Sequence, residues 1–353
     1  MTLRIVAWST GNVGRHVLAG IDAHPDLELV GLFVSSPEKA GRDAGELAGL
    51  GCSLGVKATQ DAGSLLELGP DCIVHSAMAD NRLGEALADL ERFLTAGINV
   101  VSSGPVFLQY PAPGDPMAAP LDRAAKEAGV SLWVNGVDPG FANDTLALVL
   151  TGISERIDEV RCLEILNYAT YNQPMVLFDL MGFAQPMDHV PMLLQPGVLT
   201  MAWGSVVRQI AAGLGIELDS IEERSERVAA PADIEIDAGT VPAGTVAGLH
   251  FEVRGIQGGR PVVVLEHVTR LHDDLAPTWP QPAGQGCYRV VVTGEPNYTL
   301  DLQLLGSDGD HNTAGLKATA MRLVNAVPAV VAARPGLLTA LDLPMVAGRG
   351  LLS

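Results

Sequence analysis

The chain has no apolar run of about 18 residues, so no segment of it reads as a membrane span. It does not begin with a basic region followed by a long apolar stretch, so no signal peptide is expected and the reading is a bacterial-type cytoplasmic protein. Basic residues are scarce: 22 Lys and Arg stand against 41 Asp and Glu, a net charge of −19 over 353 residues. Such a surface repels phosphate backbones and anionic lipid, so neither nucleic acid nor a membrane is expected as a partner. An anionic ligand would have to be met by a local basic patch. Cysteine is scarce too. Cys52, Cys72, Cys162 and Cys287 lie far apart with no metal spacing, and each is expected to be a small buried apolar residue. No His/Asp/Glu spacing points to a metal, and none is expected.

What is present is enough apolar material, 48% of residues, for compact cores, and a length that suits two domains at roughly 100–200 residues each. The first part alternates strand and helix. "LRIVAWS", "LELVGLFVS", "DCIVHSA", "INVVSSG" and "VSLWVNGV" read as buried strands. "GRHVLAGIDAH", "AGSLLELG", "LGEALADLERFLTAG" and "APLDRAAKEAG" read as the helices between them. Strict alternation implies right-handed crossovers and a doubly wound parallel sheet.

From about residue 155 the rhythm changes to long strands, among them "IDEVRCLEILNYA", "IEERSERVAAPADIEID" and a hairpin around "GIQGGRPV", with "MVLFDLMGFAQ" and "LTMAWGSVVRQIAAGLG" as helices. The reading is α/β overall: a dinucleotide-binding Rossmann domain over 1–150, an α+β substrate and dimerisation domain over 151–310, and C-terminal helices over 311–353 packing back on the first domain. Pro328 is expected to kink or split the tail helix.

The stretch "VAWSTGNVG" lacks the first glycine of a dinucleotide turn and has Ser9 there. Gly11 and Gly14 fill the other two roles, backbone approach to the pyrophosphate and close helix–strand packing. Thr10, Gly11 and Asn12 would line the phosphates, and Val13 would anchor the helix. At the end of the second strand no acidic residue stands at 33–37 to hold ribose hydroxyls. Ser35, Ser36, Lys39 and Arg42 are there instead, with Arg15 near the first turn. Hydroxyls and cations suit a 2′-phosphate, so NADP is favoured, with NAD possible. Ligands of such sheets bind beyond the carboxyl ends of the strands, here the loops 75–80, 102–111 and 135–144, in which Gly136, Pro139 and Gly140 expose backbone.

Together, "VAWSTGNVG", "VSSPEKAGRDAGEL", "GINVVSS" before "YP", "NGVDPGFAND", "EHVTRL" and "LVNAVPAV" resemble the dihydrodipicolinate-reductase-like family, and within it the 2,4-diaminopentanoate dehydrogenase and native amine dehydrogenase branch. The resemblance runs from residue 4 to about 336. It implies a Rossmann domain, a second domain carrying the substrate pocket and dimer contacts, and NAD(P)-dependent interconversion of amines and ketones through an iminium species. It places Ser9 to Gly14 on the pyrophosphate and Ser35, Ser36 and Arg42 at the adenosine end. Ser102, Ser103, Asn135 and the loop through Gly140 to Phe141 would flank the nicotinamide; His75 and Ser76 lie at the end of a neighbouring strand as further cofactor candidates, though for His75 a hydrogen-bonded structural role is the favoured reading over a ring contact. Phe141, Tyr168, His189, His267 and Thr313 are the implied pocket residues, Tyr168 or His267 being the proton donor. His16, His24, His250 and His272 read as surface or core residues.

One absence bears on the chemistry. Relatives of this branch carry a glutamate in the loop before "YP", which helps activate ammonia. This chain reads "SSGPVFLQYP", without a carboxylate from 101 to 114. Gln109 can hydrogen-bond an amine or carbonyl but cannot act as a base. Asp138 is the candidate for a compensating charge. The expected function is therefore an NADP-dependent oxidoreductase acting on a small carbonyl or amine substrate, expected to be a homodimer. A reductase of carbonyls or preformed imines without ammonia activation, and a catalytically inert NADP-binding protein, are the alternatives.

Overall fold

The computed structural model describes residues 2–79 and 81–352. The contacts divide the chain into two units, Met1–Val137 with Leu316–Ser353, and Asp138–Gly315.

The first unit opens with strand β1 (Leu3–Trp8), fully buried over its last four residues. Helix α1 (Gly14–Ala23) buries Gly14, Val17, Leu18 and Ile21, one stripe at helical spacing. There follow β2 (Leu27–Phe33), α2 (Ala44–Ala48), β3 (Ala58–Thr59), α3 (Ala62–Glu67), β4 (Cys72–His75), α4 (Leu83–Thr95), β5 (Asn99–Ser102), α5 (Ala118–Ala128) and β6 (Ser131–Val134). The Asp43 and Asp61 carboxylates accept backbone N–H bonds at the starts of α2 and α3, and Gly129, at φ 73°, ends α5.

The second unit contains α6 (Thr145–Thr151), β7 (Arg156–Asn167), α7 (Val198–Ala202), α8 (Gly204–Gly213), β8 (Ser220–Ala229), β9 (Ile234–Ile236), β10 (Gly239–Val241), β11 (Val246–Gln257), β12 (Arg260–Arg270), β13 (Gly286–Glu295) and β14 (Tyr298–Leu302). Its main sheet has the order β14-β13-β7-β12-β11-β8. Only the β7–β12 pair is parallel. Gly258 and Gly259 both take positive φ in the two-residue turn joining β11 to β12, where the strand twist requires it. One sheet face carries the large apolar cluster with Val206, Val207 and Ile210 of α8. A Cβ on Gly255 of β11 would stand 2.7 Å from Val207, so this glycine lets the helix lie close on the sheet.

Helix α9 (His311–Val331) leads the chain back, and from Leu316 it belongs to the first unit, followed by β15 (Gly336–Leu338). The first sheet is parallel throughout in the order β15-β6-β5-β4-β1-β2-β3. Apolar clusters cover both its faces, as a parallel sheet requires, and Ala320, Leu323, Val324, Val327 and Val330 of α9 sit in one of them. A Cβ on Gly20 would come 2.3 Å from Met321, which makes this glycine the contact point of α1 and α9.

Several local expectations are corrected. Pro328 does not split the tail: α9 runs unbroken, because Pro328 lies in its last turn and little helix follows it. The tail holds one helix and an extra edge strand rather than several helices. "IEERSERVAAPADIEID" makes two strands in different sheets, broken at Pro231. "LTMAWGSVVRQIAAGLG" is two helices meeting at Trp203, and "MVLFDLMGFAQ" is helical only over Met175–Leu180. Cys52 is exposed, while the other three cysteines are buried. No helix of the described residues is long and apolar enough to cross a membrane.

Candidate functional site

In the first unit the strand order reverses between β2 and β4 on either side of β1, and ligands of doubly wound sheets bind at such a switch point. The turn after β1 is built for close backbone approach. Ser9 has φ 97°, the left-handed region that favours glycine, so it does the backbone work of the missing glycine. Its hydroxyl accepts from the Gly11 N–H at 3.2 Å. A Cβ on Gly14 would lie 2.3 Å from the Ser9 carbonyl oxygen, so the helix meets the strand only as glycine. At Gly11 the nearest atom to such a Cβ is 3.6 Å away, and the space beside the turn stays open.

That space is a cavity of about 190 Å³, lined by Ser9, Thr10, Gly11, Ser35, Ser36, Lys39 and Arg82 among others. Trp8 stacks on Phe33 at 3.9 Å at its base. Lys39 Nζ donates to Thr10 Oγ1 at 3.2 Å, tying the two loops together. Arg42 is held in an exposed ion pair with Glu46 at 2.8 Å and does not line this cavity. Arg15 and Asn12 are exposed on the turn and helix, and they do not line it either. Arg82, which sequence reasoning missed, does; only the fold brings the start of α4 beside the turn.

Below the turn, His75 and Ser102 are paired across β4 and β5. The Ser102 hydroxyl donates to the Gly104 carbonyl, so the 2.9 Å contact to His75 is Nδ1–H donating to Oγ. His75 Nε2 is then a buried acceptor with no partner among the described residues. Burial, aided by the Arg82 charge, pushes His75 down to about 4, so the ring is neutral. Ser76 Oγ donates to the Trp8 carbonyl at 3.3 Å, Ser103 N–H to the His75 carbonyl at 3.0 Å, and Asn135 Oδ1 accepts from Arg322 Nε at 3.0 Å. Gln109 is buried in the turn after β5.

The second unit holds a polar row inside its apolar face. Register pairs Phe251 with His267, His267 with Glu164, and Glu164 with Tyr288, one residue from each of β11, β12, β7 and β13. His267 Nε2 lies 3.1 Å from Asp138 Oδ1, and its Nδ1 3.5 Å from Glu164 Oε1. Tyr168 donates its hydroxyl proton to Glu164 Oε1 at 2.7 Å, and Trp203 Nε1 donates to Asp138 Oδ1 at 3.2 Å. The Phe251 ring stacks on His267 at 4.7 Å, with Trp203 edge-on at 4.8 Å. The side chains of Asp138, Glu164 and His267 are 2%, 5% and 6% exposed, so their charges are settled by one another rather than by water.

Burial pushes Glu164 up to about 7; the Asp138 charge acts the same way, while His267 and the Tyr168 hydroxyl oppose it. For His267, burial works against the charged ring, but the flanking carboxylates outweigh it and raise its affinity for a proton. Tyr168 and Tyr288 are both driven well above the usual phenol range, by burial first and by Glu164 second. Glu164 thus titrates near neutrality beside a His267 that holds its proton more tightly than usual. Ligand atoms of Asp138, His267 and Glu164 lie within 4.8 Å of one another, a spacing that would also admit a cation. Asp138 Oδ1 and Glu164 Oε1 already accept hydrogen bonds, which is the pattern of a proton relay.

Of the pocket residues expected from sequence, Tyr168, His267 and Asp138 are brought together. His189 is exposed, and Thr313 bonds Asp310 at 3.1 Å. Phe141 follows Gly140, whose φ of 148° turns the chain after Asp138. Glu164, Trp203 and Phe251 were missed. Glu164 shares the parity of Val160 and Cys162 on the apolar face of β7, and a carboxylate on that face was the available signal.

Residues 141–350 match the family described as 2,4-diaminopentanoate dehydrogenase C-terminal domain, and residues 4–88 that described as dihydrodipicolinate reductase, N-terminus. The chain is 44% identical over 346 residues to an amine dehydrogenase of Streptomyces virginiae, covering 96% of each chain. It is 28% identical over 254 residues to the 2,4-diaminopentanoate dehydrogenase of Acetoanaerobium sticklandii, 70% of this chain and 67% of that one. The solved structure of an amine dehydrogenase from Mycobacterium smegmatis shares the fold at TM-score 0.79 and 24% identity, covering 98% of this chain and 97% of that one.

Proposed function

The chain belongs to the dihydrodipicolinate-reductase-like family, in its 2,4-diaminopentanoate dehydrogenase and amine dehydrogenase branch, and on that footing we propose that it is an NADP(H)-dependent oxidoreductase interconverting a small ketone or aldehyde plus ammonia with the corresponding amine. The observation that carries the reading is the buried Asp138–His267–Glu164–Tyr168 chain, which offers a near-neutral carboxylate in a protein whose 101–114 loop has none.

The fit to a dinucleotide rests on the open space at Gly11, the glycine-like backbone of Ser9 and the cavity bearing Ser35, Ser36, Lys39 and Arg82. Two cations and four hydroxyls with no carboxylate among the lining residues favour a 2′-phosphate over a free ribose. Bound NADP(H) supplies or accepts the hydride.

The chain's own residues manage charge and protons. Condensing a carbonyl with ammonia forms a C–N bond and releases the oxygen as water; reduction then adds a hydride at carbon and a proton at nitrogen. Glu164 is poised to give or take that proton through the Tyr168 hydroxyl, because its affinity for protons matches the working pH. Asp138 and Glu164 together favour a cation beside them, the protonated imine or ammonium. Trp203 and Phe251 fix the His267 ring, and Tyr171, stacked on Tyr168 at 4.6 Å, fixes the phenol.

The test is NADPH consumption with a panel of small ketones and aldehydes, with and without ammonium. Ammonium-dependent turnover lost in Glu164→Gln, with NADPH binding intact, is the expected result. Turnover independent of ammonium would move the chain to the second reading, a carbonyl or preformed-imine reductase, which the empty 101–114 loop favours. No turnover despite tight NADPH binding would leave an inert binding protein. A homodimer is also part of this reading, and sedimentation equilibrium tests it.

A further inference from the structure

The second unit holds four phenols, and three of them are engaged. Tyr168 donates to Glu164 Oε1 at 2.7 Å, Tyr171 Oη accepts from Gln173 Nε2 at 2.8 Å, and Tyr298 donates to the Leu150 carbonyl at 2.7 Å. Tyr288 is the exception. It is 4% exposed, yet among the described residues its hydroxyl has no hydrogen-bond partner. A phenol buried to this degree ordinarily finds an acceptor. The ring nitrogens of His311, 5.6 Å away between ring centres, are sealed from access; the Tyr288 oxygen is not.

Helix α9 leaves that oxygen open. A Cβ on Gly315 would stand 3.2 Å from the Tyr288 hydroxyl, and no other atom of a neighbouring element comes within 4 Å of it. Glycine inside a helix is less favourable than alanine by about 1 kcal/mol, and here no crowding beyond the hydroxyl calls for it. A side chain at 315 would cover the oxygen.

The hydroxyl also stands where the chemistry is proposed. The register of β13 against β7 sets Tyr288 opposite Glu164, on the sheet face that carries His267. Burial first, then the Glu164 and Asp138 charges, keep the phenol protonated, so near neutrality it offers a donor and cannot serve as a base.

We propose that Tyr288 is a further catalytic residue, whose hydroxyl donates a hydrogen bond to the carbonyl oxygen of a substrate bound beside Glu164. This rests on the oxidoreductase reading above. When ammonia or hydride bonds to the carbonyl carbon, the C=O π pair moves onto oxygen, and the O–H meets that charge as it develops. The oxygen takes its proton from Glu164 through the Tyr168 hydroxyl, and after ammonia addition the surplus proton on nitrogen returns to Glu164. Tyr288 ends the step with the proton it began with.

The test uses the full chain with NADPH, ammonium and whichever carbonyl of the panel above the parent turns over fastest. Tyr288→Phe should lower kcat by about 10²- to 10³-fold, with KM, NADPH affinity and thermal midpoint little changed. Gly315→Ala keeps the phenol but covers it, and should lower kcat by about tenfold or more. In the Tyr288→Phe background Gly315→Ala should add nothing, because the two changes remove one interaction. Should Tyr288→Phe fail to fold, Gly315→Ala carries the test, and an unchanged kcat there overturns the proposal. An unchanged kcat in Tyr288→Phe would mean that the phenol meets only water; it would overturn the proposal and leave the oxidoreductase reading standing. So would a Gly315→Ala loss as large in the Tyr288→Phe background as in the parent. A parent that turns over no carbonyl sinks both.

Discussion

Ser9 holds a left-handed backbone at φ 97°, which costs a side-chain-bearing residue about 1 kcal/mol relative to glycine. The bond from Gly11 N–H to Ser9 Oγ offsets part of it. Ser9→Gly is therefore expected to keep NADPH affinity and match or raise the thermal midpoint, read by fluorescence titration and calorimetry. Gly14→Ala is the opposite case: its methyl would meet the Ser9 carbonyl at 2.3 Å, and NADPH binding should fall steeply. At Glu164 the proton affinity near 7 sets a pH dependence. In the reductive direction the residue must deliver a proton, so the rate should fall as pH rises through about 7; in the oxidative direction it should rise. Glu164→Gln should remove that limb from the kcat/KM profile and lower kcat by about 10²- to 10⁴-fold.

At the scale of elements, the proposed preference for NADP(H) rests on the segment between β2 and α2 and the start of α4. Lys39→Ala and Arg82→Ala should each weaken NADPH by about tenfold or more while changing NADH little, because only the 2′-phosphate needs their charge. Arg42→Ala should leave both affinities unchanged, since its side chain does not line the cavity. Sequence reasoning placed Arg42 at the cofactor; in the structure Arg82, not Arg42, lines the cavity beside the turn. Arg82 follows β4 by seven residues, and only strand pairing across β1 reveals which loop it faces.

At the scale of the whole molecule, stability should fall in acid, partly through His75. Its native affinity lies near 4, below that of an unfolded histidine, so the unfolded chain gains a proton first as pH drops. This contribution is fully present above the unfolded value and is lost progressively down to about 4. The stability advantage of the parent over His75→Asn, from urea unfolding, should shrink over that window. A net charge of −19 repels itself, so added salt should raise the urea midpoint.

The sequence by itself determined the doubly wound sheet and the cofactor turn. Both are local: alternating apolar runs and helical stripes leave one way to cover a parallel sheet, and "STGNVG" turns the chain whatever lies far from it. The Glu164–His267–Asp138 cluster was decided only by tertiary structure. His267 and Asp138 lie 129 residues apart in sequence, and Glu164 joins His267 because the register of β7 against β12 aligns them. A slip of one residue would turn Glu164 to the opposite face, where Arg161 and Glu266 already pair. Neither partner, nor the burial that lifts Glu164 to about 7, can be read from the residues near it in the chain.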